Sequence, residues 1–144
     1  LGNICRSPLA EGAARAAFAS AGIAATLDSA GTGDWHIGHS PDRRAQAEAS
    51  RRGADISDLR ARQLRRSDFY DFDLILAADE SNRRDALRLR PDDATAELKL
   101  MLDLVPGREG EDVADPYYGE DGGFAATWDD VSALASALVA SARG

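Results

Sequence analysis

Two short stretches carry residue types whose chemistry depends on their being brought together. The first is Leu1-Gly2-Asn3-Ile4-Cys5-Arg6-Ser7-Pro8. Gly2 permits a tight turn, Asn3 tolerates left-handed backbone, and Ser7-Pro8 reads as a helix start, with Ser7 as N-cap and Pro8 as the first helical residue. The loop thus delivers Arg6 to a helix N-terminus. There free backbone N–H groups, the positive end of the helix dipole and a planar guanidinium converge, a geometry suited to a phosphate dianion. The second stretch is Asp115-Pro116-Tyr117-Tyr118-Gly119, in an acid-rich loop. A carboxyl group on a mobile loop can protonate a departing phenolate, and an Asp-Pro pair is also an ordinary turn.

The elements that must position these residues follow from periodicity and punctuation. Residues 8–21 are helix formers, with Leu9, Ala13, Ala16, Ala17 and Phe18 as an apolar stripe and Gly22 as a stop. Residues 23–28 read as a strand, followed by a glycine-punctuated loop from Ser29 to Gly38. A helix over 42–52 closes at Gly53, and Ser67 caps a short helix ending near Phe72. Residues 73–78 are the clearest buried strand, leading through Asp79-Glu80-Ser81-Asn82 into a helix that ends before Pro91. Leu98 to Met101-Leu102 is a last strand, and 124–142 is an amphipathic helix whose Trp128 is read as core. Strands alternating with helices from the loop onward predict an α/β, doubly wound domain with a parallel sheet, its sites at the carboxyl ends of the strands.

With 144 residues the chain fits a single domain, residues 1–144, large enough to bury a core. The net charge of −8 argues against a general nucleic-acid binder. No apolar run is long enough to cross a bilayer and no signal-peptide pattern is visible, so a cytoplasmic location is expected, with export left open. The single cysteine leaves no internal disulfide and agrees with a reducing compartment. No cluster has metal-ligand spacing, and neither a metal nor another cofactor is expected. Arg43, Arg44, Arg51, Arg52, Arg60, Arg62, Arg65 and Arg66 crowd the middle of the chain, where a solvated helix face is favoured over a docking patch for acidic partners.

Residues 1–8 resemble the phosphate-binding loop of the low-molecular-weight protein tyrosine phosphatases, whose signature is a cysteine, five residues, an arginine and a serine or threonine. Asp115-Pro116-Tyr117-Tyr118-Gly119 is similar to the general-acid loop of that family. Ser29-Ala30-Gly31-Thr32 with Trp35-His36-Ile37-Gly38 resembles the loop bordering its pocket, and residues 73–82 its next strand and helix start, so the resemblance covers nearly the whole chain. It implies a three-layer fold of the phosphatase-I type with a central sheet of about four strands. It also implies hydrolysis of phosphotyrosine or an aryl phosphate through a phosphocysteine, releasing inorganic phosphate, by a monomer or weak dimer. Arg6 and Asp115 would be catalytic. Leu1, Gly2, Asn3, Ile4, Cys5, Arg6 and Ser7 would bind phosphate, the Ser7 hydroxyl also stabilising the thiolate. Trp35, Tyr117 and Tyr118 would form the substrate slot, and Asn3 and Ser29 would hold the loop's shape.

In the family the nucleophile immediately precedes the residue matching Leu1, and Cys5 cannot replace it, because it adjoins Arg6 without the five-residue arc. The natural protein is therefore expected to carry about 6–12 further residues, one ordinary strand ending in that cysteine. Cys5 is read either as a partner for it under oxidation or as an inert thiol. Leu59 stands where members often have a histidine of the loop network, just before Ala61-Arg62-Gln63. Related arginine phosphatases carry a threonine at the position of Ile4, so isoleucine favours phosphotyrosine. Arsenate reductase is disfavoured for want of downstream cysteines. A chain starting at Leu1 would be an anion-binding module without a nucleophile.

Overall fold

The computed structural model describes residues 6–31, 37–113 and 122–143. Helix α1 (Arg6–Ala21) ends in a Schellman motif: the Gly22 N–H donates to the Ala19 carbonyl at 3.2 Å, and that of Ile23 to Phe18 at 3.0 Å. Gly22 takes a φ of 70°, which explains why glycine stops the helix there. Since α1 already includes Arg6, Ser7 lies in its first turn and is not the cap, and Pro8 is accommodated beside it where no intrahelical N–H is needed. Of the predicted stripe, Leu9, Ala13 and Phe18 are buried and Ala17 half-buried, while Ala16 faces solvent.

Helix α2 (Arg43–Arg51) is capped by Asp42, whose carboxylate accepts the Arg44 N–H at 2.8 Å. The short α3 (Asp68–Asp71) lacks the expected Ser67 side-chain cap, and the Asp68 carboxylate instead accepts the Arg65 N–H at 2.8 Å. Strand β1 (Leu74–Ala77), helix α4 (Glu80–Leu89) and strand β2 (Glu97–Leu100) form a right-sized parallel crossover, with Leu74 opposite Glu97 and Ala77 opposite Leu100. Only Ala77 of β1 is fully buried. Met101 and Leu102, predicted to prolong the last strand, belong to a 3₁₀ turn (Met101–Leu104), because Asp103 turns back to accept the Leu100 N–H at 3.1 Å. Helix α5 (Gly122–Arg143) completes the chain.

Of the four strands expected, the described residues show the β1–β2 pair and one isolated parallel bridge, Gly31 with Gln63. Residues 23–28 are not a strand. Ile23 and Leu27 reach the core but Ala24, Ala25 and Thr26 are exposed, a four-residue spacing that does not suit a pleat with one buried face. Backbone pairing begins only at Gly31, whose N–H donates to Arg62 at 2.9 Å and whose carbonyl accepts from Leu64 at 2.7 Å.

The sheet lies between two apolar layers, which is the three-layer arrangement. Leu76 faces the larger core with Leu9, Phe124, Trp128 and Val131, while Ile75 faces Phe69, Ala86 and Ala96. Helices α1 and α5 pack together within the larger core, Trp128 included. Gly12 has no side chain because a Cβ there would stand 2.5 Å from Ile56 Cγ2. The arginine-rich middle is not simply solvated. Arg44 lies 4.8 Å over the Phe124 ring, Arg51 and Arg52 pair with buried Glu48, and Arg62 bridges Asp28 and Asp68. Among the described residues no helix is long and apolar enough to cross a membrane.

Candidate active site

Arg6 is almost fully buried at the N-terminus of α1, and its guanidinium is held from two other parts of the fold. Nη1 donates to Asp79 Oδ2 at 2.9 Å and to the Val113 carbonyl at 2.7 Å, and Nη2 donates to Asn82 Oδ1 at 3.3 Å. Asp79 is shared between two tasks. Its Oδ1 accepts the Asn82 N–H at 2.8 Å and caps α4, and its Oδ2 holds Arg6. It stands just beyond the carboxyl end of β1, where open α/β sheets place their ligands.

Val113 closes the arrangement. Its N–H donates to the Ala78 carbonyl at 2.8 Å while its own carbonyl takes Arg6, so one residue joins the end of β1 to the arginine. Burial alone would raise the pKa of Asp79, but the Asn82 N–H and the Arg6 guanidinium outweigh it and hold this carboxyl below its ordinary value. An ionised Asp79 beside a permanently charged guanidinium is the stable state at neutral pH.

Ser7 is half-buried in the first turn of α1. The Ser29 hydroxyl donates to Glu11 of α1 at 2.7 Å, and its backbone N–H donates to Asp28 at 2.8 Å. Leu59 is packed against the larger core. His39 is exposed. The remaining site residues named from the sequence, Leu1, Gly2, Asn3, Ile4, Cys5, Trp35, Asp115, Tyr117 and Tyr118, lie outside the described residues, as does His36.

Asp79, Asn82 and Val113 are the partners that sequence reasoning did not attach to Arg6. A signal for two of them was present: an Asp-x-x-Asn helix start directly after the best strand marks both a cap and a sheet edge facing a ligand. Nothing local marks Val113, which contributes only its backbone.

Comparison with known proteins agrees with this geometry. Residues 1–143 match the family model of the low molecular weight phosphotyrosine protein phosphatases. A low molecular weight protein-tyrosine-phosphatase of Streptomyces coelicolor is 40% identical over 147 aligned positions, covering 99% of this chain and 89% of that protein. The human low molecular weight phosphotyrosine protein phosphatase is 40% identical over 86% of this chain and 80% of its own. The crystal structure of YfkJ from Bacillus subtilis superposes with a TM-score of 0.89 at 37% identity, covering 99% of this chain and 90% of that one. A Drosophila arginine phosphatase also superposes, with a TM-score of 0.92 at 28% identity over 100% of this chain and 94% of that one. The chain belongs to the low molecular weight phosphotyrosine protein phosphatase family, hydrolases of phosphoric monoesters that act through a cysteine intermediate.

Proposed function

We propose that this chain, as one domain over residues 1–144, hydrolyses phosphotyrosine in proteins and simple aryl phosphates, with Arg6 gripping the phosphoryl group and Asp115 moving the proton. The observation that carries this reading is the clamp on Arg6. Asp79 and Val113 hold Nη1 and Asn82 holds Nη2, so the direction of the guanidinium is set by the fold. A guanidinium fixed in advance needs no reorganisation when charge builds on the equatorial oxygens.

Residues 1–7 would wrap the phosphoryl oxygens with backbone N–H groups, as the family motif implies. In the family's reaction a cysteine thiolate attacks phosphorus and the bond from phosphorus to the tyrosyl oxygen breaks, and here Asp115 would give its proton to that oxygen. Water then attacks the phosphocysteine while Asp115 takes a proton from it, and the thiolate departs toward the Ser7 hydroxyl as inorganic phosphate is released. Trp35, Tyr117 and Tyr118 would wall a slot for a long aromatic stem, and Asn3 and Ser29 would hold the loop. Ile4 favours tyrosine over arginine as the carrier, which matters because the fold is shared with an arginine phosphatase.

Steady-state kinetics of Asp115→Asn with an aryl phosphate tests the assignment. The expected result is kcat lower by roughly 10²–10⁴ with KM nearly unchanged. An unchanged kcat removes Asp115 from the acid role, and faster turnover of a phosphoarginine peptide than of a phosphotyrosine peptide overturns the substrate class.

A further inference from the structure

Glu11 is a carboxylate buried on α1, its side chain 2% exposed, and the phosphoryl-transfer steps make no use of it. Its two oxygens are treated differently. Oε1 accepts the Ser29 hydroxyl at 2.7 Å. Oε2 forms an ion pair with Arg15 Nη2 at 2.5 Å, one turn further along the helix. Arg15 Nη2 also donates to the Leu27 carbonyl at 3.1 Å. Leu27 to Gly31 is therefore tied to α1 twice, once through Arg15 and once through Glu11, immediately before the chain reaches Thr32 and the loop assigned to the pocket's border.

A hydroxyl has one proton and two lone pairs. An ionised carboxylate accepts only, so once Ser29 donates to Glu11 its oxygen can meet any further neighbour only as an acceptor. Ser7, Glu11 and Arg15 follow each other at four-residue intervals and therefore line one side of α1, the side that leads up to the phosphate-binding loop. Burying a carboxylate here costs free energy unless its charge is compensated, which gives Arg15 a reason to stand beside it.

We infer that Glu11 is a positioning residue for the phosphatase reaction: charged and neutralised by Arg15, it fixes the Ser29 hydroxyl as a hydrogen-bond acceptor and holds the Leu27–Gly31 segment in register with the helix that carries Arg6. Ser29 is the residue to which the family motif gives the support of the phosphate-binding loop, and Glu11 settles which way its hydroxyl proton faces. Arg15 acts through Glu11, and neither residue touches the phosphoryl group. The inference rests on the function proposed above for Arg6, Ser7 and Ser29.

The test is a double-mutant cycle in the full-length enzyme. Glu11→Gln keeps the shape but offers Ser29 an N–H donor as well as an acceptor, so the hydroxyl proton is no longer pinned. Glu11→Gln and Ser29→Ala are each expected to lower kcat on an aryl phosphate about tenfold, with KM within about twofold, and the double variant to be no worse than Ser29→Ala alone. Arg15→Met is expected to lower kcat similarly, and Arg15→Lys to recover most of that loss. Wild-type kcat in Glu11→Gln, or losses that multiply in the double variant, overturns the inference while leaving the phosphatase reading intact. If the unaltered enzyme does not hydrolyse aryl phosphates, it is the phosphatase reading that fails. The same cycle is then read in inorganic phosphate affinity by calorimetry, where coupling between Glu11 and Ser29 upholds the positioning role and its absence ends it.

Discussion

Arg6 reaches Asp79 and Val113 across 73 and 107 residues of chain, whereas Arg51 and Arg52 find Glu48 three and four residues away on the same helix. The side chain of Arg6 is 7% exposed, against 68% for Arg51 and 38% for Arg52. The pairs with Glu48 need only a turn of helix, although Arg52 also reaches Asp129 of α5 at 3.3 Å. The Arg6 contacts exist only when α1, the end of β1, the start of α4 and the segment through Val113 are assembled together. Arg62 stands between the two cases, bridging Asp28 and the buried Asp68. Arginines that serve stability can be paired locally and cheaply, while Arg6, proposed here to meet a phosphate, is oriented by groups from several elements, so that its direction is set by the whole fold.

If that contrast is right, the largest effect belongs to Arg6→Lys. A lysine keeps the charge but cannot hold Asp79, Val113 and phosphate at once, because it lacks the planar fork. The expected loss in kcat/KM on an aryl phosphate is about 10²–10³, with inorganic phosphate binding weakened as well. Kinetics and product inhibition check both, and near-normal values would remove Arg6 from the phosphate site. Asp79→Asn comes next. Asparagine caps a helix as well as aspartate does, so α4 should persist while the ion pair to Arg6 is lost. Loss of the negative charge eases the approach of a dianion, and loss of orientation slows its reaction. The expected split is phosphate affinity held or improved with kcat about tenfold lower. The same variant has a pH signature. The carboxyl of Asp79 is held low in the folded state, so the stability it contributes is complete above the ordinary carboxylate value near 4 and is lost as pH falls through the lower folded value. Melting curves between about pH 2 and 6 should show a flatter acid limb in Asp79→Asn than in the unaltered protein.

These unequal origins also explain what could be read without a structure. The arginine at a helix start was legible because glycine, asparagine, serine and proline signals sit beside it in sequence. Helix ends at Gly22 and Gly53 were legible for the same reason, since a left-handed residue after a helix is a local requirement. The partners of Arg6 were not, because no rule of spacing links positions so far apart, and Val113 offers only a backbone carbonyl. The segment 23–28 was misread because isolated apolar residues fit a strand or an irregular edge equally well, and its ladder partners decide. Ser29 was assigned to the loop from the family motif alone, and its bond to Glu11 lies 18 residues back in the chain.

Arg62→Gln probes the intermediate case. Asp68 is almost fully buried, and both its oxygens take guanidinium protons from Arg62, at 3.0 and 3.2 Å. Glutamine removes both of these contacts while the Arg65 N–H still donates to that carboxylate, so a loss of about 1–3 kcal/mol in stability is expected, seen in denaturant midpoints with an unchanged slope. Activity should follow only as far as stability does, which separates this pair from the Arg6 clamp.

Arg51→Gln is the smallest effect and the sharpest control. Glu48 is buried and its carboxyl is held below the ordinary value: burial opposes this, but the Arg52 and Arg51 contacts outweigh it. With Arg51 gone, Arg52 still donates to Glu48 at 2.8 Å, so the buried charge keeps a partner. Arg51 itself lies in solvent, so its contact contributes little once screening and side-chain entropy are counted. The melting temperature is therefore expected to stay within about 2 °C of the unaltered protein, with kcat/KM unchanged. A loss of activity here comparable to that of Asp79→Asn would mean that α2 communicates with the phosphate site, and the division between locally paired and fold-assembled arginines would have to be withdrawn.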